Sequence, residues 1–198
     1  MGKASRKKRP VKAQSRKGNM TFTLVVVAIV VVGVAGIALS RGGSDSSSSK
    51  GPGAKIGDHW HAAIGVNLCG TWQANLPQYE AGTGLHSHGD GFMHIHPFSA
   101  AGAGSNANVG LFYKQADDKV SATELDIFKE KYKNGDVCDN LDKKPGEVRW
   151  SVNGVEKTGN PGAYVPNDRD TVAIAFLPKG VEIGTPPTAS SGANPSDQ

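Results

Sequence analysis

Every histidine in this chain belongs to a His-x-His pair: His59 with His61, His86 with His88, and His94 with His96. Neutral imidazole is a good ligand for zinc, copper, nickel and iron. A His-x-His pair on a strand presents two donors from one rigid element, because alternate side chains share a face. A third donor from a neighbouring strand then completes a three-nitrogen site. Two of the pairs lie in the stretch LHSHGDGFMHIHP, residues 85–97, and are symmetric about Gly91. A hairpin turning at Gly91 would oppose His86 to His96 and His88 to His94, with Cβ atoms roughly 5 Å apart. All four rings would share one face, and His59 and His61 would add a third edge. Asp58 and Asp90 are candidate oxygen ligands or supports for a ligating ring, and Met93 offers a soft sulfur. A lone histidine is more often a locally hydrogen-bonded residue than a ligand. Three pairs, two of them symmetric about a turn, favour a metal. Copper and zinc are the ions expected for an imidazole-rich, carboxylate-poor set, with copper slightly ahead. Two other readings remain open: a structural hydrogen-bonding patch, and a pH-responsive one, since packed imidazoles resist simultaneous protonation.

These rings need strands to hold them. Residues 58–67, DHWHAAIGVN, read as a strand with the histidines on one face and Trp60 turned to the core. On the second face of the hairpin, Ser87 would oppose Ile95, and Gly89, Asp90 and Gly91 suit a tight turn. Residues 97–108 read as a loop; Gly102 and Gly104 lack the third glycine of a dinucleotide fingerprint. Residues 109–113 read as a short strand. Residues 121–134 read as the main helix, with Ser121 and Glu124 as a capping box, Leu125, Phe128 and Tyr132 at helical spacing, and Gly135 as the stop. A strand over 147–151 enters an Asn153-Gly154 turn, and residues 172–177, VAIAFL, read as a central strand buried on both faces. The expected fold class is α+β and mainly β: a small antiparallel-sheet domain with one main helix. The two cysteines, Cys69 and Cys138, are expected to form one disulfide, with a thiolate metal role as the alternative.

Charge separates the N-terminus from the rest. Residues 1–20 hold eight of the chain's 22 basic residues and no acid, so the remainder carries 22 − 8 = 14 basic against 18 acidic groups. The positive net charge is therefore a terminal feature, and nucleic-acid binding is not expected. Residues 21–39 are an uncharged apolar run whose helix would rise roughly 28 Å, enough to cross a bilayer core. The basic flank orients such a helix with its N-terminus in the cytoplasm and the C-terminal domain outside, a single-pass anchor. A signal peptide cleaved after Gly36-Ile37-Ala38 is the rival reading; the apolar run exceeds the usual signal core. Residues 40–55 read as a Gly/Ser linker, 56–183 as the histidine-rich extracytoplasmic domain, and 184–198 as a disordered tail.

The chain resembles a family of uncharacterised bacterial and archaeal membrane-anchored extracytoplasmic proteins. The resemblance rests on His59-Trp60-His61 with the following GVNLCG, on Leu85-His86-Ser87-His88 through His94-Ile95-His96, on residues 109–113 (VGLFY), and on Ser151-Val152-Asn153-Gly154 before an apolar strand. Family members share a histidine strand, an LHTHD-G-IH-E-like segment, an LG-FF strand and a late VNG hairpin. Here the turn is one residue shorter, and His96 stands where Glu is common. The family has no established activity, so the resemblance implies location and motif, not a reaction. No Gly-x-Ser-x-Gly, His-Glu-x-x-His or P-loop occurs in the chain. The leading expectation is a membrane-tethered protein that captures or transfers copper or zinc, leaning away from an enzyme. The alternatives are a metal-dependent enzyme with an open histidine-ligated position, and an accessory protein of an envelope or membrane complex.

Overall fold

The structure is a computed structural model that describes residues 52–195. The basic tail, the apolar run 21–39 and most of the linker lie outside the described residues. Among the described residues, no helix is long and apolar enough to cross a membrane.

The chain builds a mixed sheet of eight strands and a separate sheet of three. In chain order these are β1 (Trp60–Leu68), β2 (Thr71–Trp72), β3 (Leu85–His86), β4 (Phe92–Ile95), helix α1 (Val109–Gln115), β5 (Lys119–Val120), β6 (Glu124–Ile127), β7 (Glu130–Lys133), β8 (Val137–Cys138), β9 (Lys144–Val152), β10 (Val155–Lys157), β11 (Thr171–Pro178) and helix α2 (Pro187–Ser190). The main sheet runs β10-β9-β11-β1-β4-β3, with β2 beside β1 and β8 beside β9; β5, β6 and β7 form the small sheet. The mainly β expectation with one main helix fits. The sheet is not wholly antiparallel, because β1 pairs β11 in parallel from Ala63 with Thr171 to Leu68 with Phe176.

β11 is buried on both faces, as its apolar sequence requires. Val172, Ile174 and Phe176 enter the large core, and Ala173, Ala175 and Leu177 pack in a smaller cluster with Ile183 on the reverse face. β1 divides the same way. Ile64, Val66 and Leu68 enter the large core, with Trp60 packed against it. His59, His61 and Ala63 therefore face the reverse side. The turn between β9 and β10 is at Asn153 and Gly154, both with positive φ (51° and 76°), as Asn-Gly predicts. Cys69 and Cys138 are joined in a disulfide across 69 residues. In the chain-entropy account a link of that span stabilises by roughly 4 kcal/mol.

Two elements differ from expectation, each for a local reason. Residues 109–113 open helix α1 instead of a strand, because the Asn108 side chain caps it, accepting from the Leu111 N–H at 2.8 Å. Residues 121–134 form the β6–β7 hairpin instead of a helix. The Ser121 hydroxyl does accept from the Glu124 N–H at 3.0 Å. The Ser121 N–H, however, donates back to the Glu124 carbonyl at 3.0 Å, so the chain turns and does not wind on. Leu125 and Ile127 are then buried while Glu124 and Asp126 are not, a period of two. Phe128 and Lys129 make the turn, both at positive φ (55° and 66°). Gly135 ends no helix; at φ +101° it lies in the turn that leads to β8.

Residues 184–195 of the C-terminal segment are among the described residues. Part of the segment expected to be a disordered tail instead packs on the reverse face. Thr188 is buried and its hydroxyl donates to the Asp90 carbonyl at 3.3 Å.

Candidate metal centre

The histidine hairpin forms, in a different register. Leu85 opposes Ile95 and His86 opposes His94, so the symmetry point is Asp90, not Gly91. Ser87 instead bridges Tyr79 and donates its hydroxyl to the Leu76 carbonyl at 3.0 Å. A shift of two residues leaves every side chain on its face, so the single patch of rings survives the change. On its other edge β4 pairs β1, with Trp60 opposite Ile95 and His61 opposite His94. His61, His94 and His86 thus form one row across three adjacent strands. His59 and His96 lie one step further along, with ring centroids 3.8 Å apart. Beyond them β3 has reached Gly84. At φ +85°, a Cβ there would fall 2.0 Å from the His96 carbonyl oxygen, so glycine lets the two backbones close.

Six rings on this lattice divide into two triads. His86, His88 and His94 form an inner triad, and His59, His61 and His96 an outer one; in each, one ring nitrogen per residue lies within 4.8 Å of the others. The triads touch. The His61 ring centroid is 4.7 Å from that of His94, and the His86 centroid 5.0 Å from that of His96.

The inner triad is enclosed and backed by carboxylates. His94 is fully buried and His86 is 5% exposed. Asp90 serves two roles in the turn: one oxygen accepts from the Phe92 N–H at 3.1 Å, and the other lies 3.0 Å from His94 Nε2. That contact assigns the ring proton to Nε2 and leaves the Nδ1 lone pair, itself buried with no hydrogen-bond partner. A carboxylate behind a histidine in this way fixes the ring and raises its basicity toward a metal. Glu80 lies 3.9 Å from both His86 Nδ1 and His88 Nε2. His86 Nδ1 and His96 Nε2 are also buried without hydrogen-bond partners. An unpaired buried polar atom costs roughly 1–3 kcal/mol, so such ring nitrogens in both triads call for ligands.

Burial also keeps these rings neutral. It pushes His94 down to about 4, against the opposing pull of Asp90, with His61 and His88 adding to the depression. His96 is pushed down to about 4 by burial and then by its neighbours His59, His86, His61 and His94. Burial lowers His86 as well, partly offset by Glu80. Neutral imidazole is the ligating form.

Comparison with known protein families, curated proteins and solved structures finds no match to this chain.

The other candidates separate. Asp58 accepts from the Lys55 N–H at 2.7 Å and serves a turn. Met93 is fully buried in the large core, on the face opposite the rings, because it alternates with His94. The cysteines are bonded to each other, which removes the thiolate alternative. Four neighbours were missed. Glu80 gave no signal, since a loop brings it to the rings. Asp168 accepts from the His61 N–H at 3.0 Å, and the Arg169 N–H donates to the His61 carbonyl at 2.7 Å. Asp170 is the buried anchor of that loop, accepting from the Tyr164 hydroxyl, Asn153 and Asn167. An open cleft of about 750 Å³ lies over His59, His61, Ala63 and Phe92, walled by residues 168–171 and by Ala189, Ala193, Asn194 and Pro195.

Proposed function

We propose that this protein is a transition-metal-binding module that captures or transfers copper or zinc at the outer face of a membrane. The observation that carries the reading is the set of buried ring nitrogens on His86, His94 and His96 that make no hydrogen bond, within two three-histidine groups. All-imidazole donor sets suit zinc and copper better than the hard, oxygen-seeking cations. Asp90 supports the His94 ring as a metal-bound histidine is usually supported. The membrane tether comes from the apolar run 21–39 behind its basic flank, and the outward placement of the domain agrees with its disulfide. A second reading, a metal enzyme, is favoured by one feature: the cleft leaves the outer triad accessible to a small ligand. An exchangeable water on a metal at the outer triad would support it.

Metal analysis of the full chain as isolated, followed by titration with Cu(II) or Zn(II), tests the proposal. Bound metal, with affinity lowered at least a hundredfold when His86 and His88 are both replaced by alanine, is the expected result. A metal-free protein that takes up neither ion would overturn it.

A further inference from the structure

The two triads are built from the same donors, yet their surroundings differ. Two of the inner rings are enclosed, and the third, His88, has an 11% exposed side chain with the Glu80 carboxylate 3.9 Å away. Asp90 stands behind His94. The turn that carries Asp90 is itself pinned: Asn75 donates to the Gly89 carbonyl at 3.1 Å, and Thr188 to the Asp90 carbonyl at 3.3 Å. Gly91 could not be replaced without a clash, since a Cβ would fall 2.0 Å from Thr188 Oγ1. A dication held here is surrounded by fixed groups and two carboxylates, which favours slow release.

The outer triad has the opposite character. His59 is exposed, and His59 and His61 form part of the floor of the cleft. The loop walling that cleft is rigid, because the buried Asp170 carboxylate gathers it. At the rim, Arg169 is held at φ +67°, a strained conformation for a residue with a side chain, and its side chain is 91% exposed. A ligand entering from solvent meets the outer triad first.

Resting on the metal-binding reading above, we propose that the inner triad keeps a resident ion while the outer triad exchanges a cargo ion, through the cleft, with a chelating partner. The partner class is a small chelate or a donor side chain that can enter beside Asp168 and Arg169. Each transfer is a ligand exchange without redox change: imidazole nitrogens leave the ion as the partner's donors replace them.

The test is release kinetics. The full chain is loaded with two equivalents of Zn(II) and mixed with excess 4-(2-pyridylazo)resorcinol, an anionic chromophoric chelator. Two phases of equal amplitude are expected, the first at least tenfold faster. His59→Ala, at an exposed position that does not threaten the fold, should remove the fast phase and leave the slow one. Arg169→Glu should slow the fast phase alone, by placing a negative charge at the entrance. One phase for both ions, loss of the slow phase in His59→Ala, or an equal effect of Arg169→Glu on both phases would overturn the division of roles. A protein that binds a single ion would overturn it too, while leaving metal binding intact. A protein that binds none would overturn both.

Discussion

The β3–β4 hairpin buries all four residues of its second strand, Phe92, Met93, His94 and Ile95. The β6–β7 hairpin buries Leu125 and Ile127 of its first strand, and of its second only half-buries Tyr132. The first closes one end of the main sheet, with β4 paired to β1 and β3 at the edge; the second belongs to the small sheet. On the wet side of the second, Lys119, Lys131 and Lys133 gather round Glu124 at 3.1–3.9 Å. Exposed ion pairs of this kind contribute little, about 0–1 kcal/mol each. A hairpin covered on both faces can hold imidazoles away from water and keep them neutral. A hairpin with one solvated face cannot, and serves as support. The same supersecondary unit therefore acts as site in one place and as scaffold in the other, and burial makes the difference.

Acid should separate the two hairpins most strongly. In the folded protein His94 and His96 are pushed down from the ordinary 6.5 to about 4. In the unfolded chain they titrate near 6.5. Below 6.5 the unfolded state takes up protons that the folded state refuses, so stability is complete above that pH. It falls continuously as pH drops toward about 4, where the folded rings protonate as well. Urea midpoints of the metal-free protein at pH 7.5, 6.0 and 4.5 should decline steeply. Amide exchange should rise in β3 and β4 before it rises in β6 and β7. A flat midpoint across this window would show that the rings are not held neutral by burial.

Core truncation comes next. Ile95 and Leu125 are both fully buried, so Ile95→Ala and Leu125→Ala should each destabilise by about 3 kcal/mol. Their effects on metal should diverge. Ile95 lies between His94 and His96, so its loss should loosen both triads and weaken Zn(II) binding at least tenfold. Leu125→Ala should leave the affinity of the folded protein within twofold. Calorimetric titration beside thermal unfolding separates the two effects, and equal affinity losses would refute the division into site and scaffold.

The sequence revealed these hairpins unequally. For the first, alternation of histidine with Ile95 and the Gly-Asp-Gly turn fixed the strands and the face. The register slipped by two because the symmetry of four identical rings says nothing of where the backbone bonds form. Asp90 at the turn centre, bonded to the Phe92 N–H, decides that. The buried β11 strand and the Asn153-Gly154 turn were legible for the same reason: the pattern and the turn chemistry agree. For the second hairpin they disagree. Leu125, Phe128 and Tyr132 mimic a helical stripe, and Ser121 and Glu124 mimic its cap. No glycine or asparagine marks the turn, which Phe128 and Lys129 make in a conformation side chains disfavour. Glu80 and Asp168 reach the histidines, and Thr188 the turn that carries Asp90, through tertiary contacts, for which a single sequence carries no periodic signal.

That unusual turn yields the smallest effect. Lys129 is exposed and held at φ +66°. For a residue with a side chain, the left-handed conformation costs roughly 1–2 kcal/mol. Lys129→Gly removes that strain, and the added freedom of the unfolded chain offsets part of the gain. The net expectation is a stabilisation of about 0.5–1 kcal/mol, read as a melting temperature about 3 °C higher. Phe128 is left in place because it packs against the large core. Zn(II) affinity should not change, since the β6–β7 turn contributes no ring to either triad. A lower melting temperature would mean that the lysine side chain stabilises this turn by more than its backbone is strained. Such a result would give the scaffold hairpin a tertiary anchor like the one that Asp90 gives the histidine hairpin, and would narrow the contrast between them.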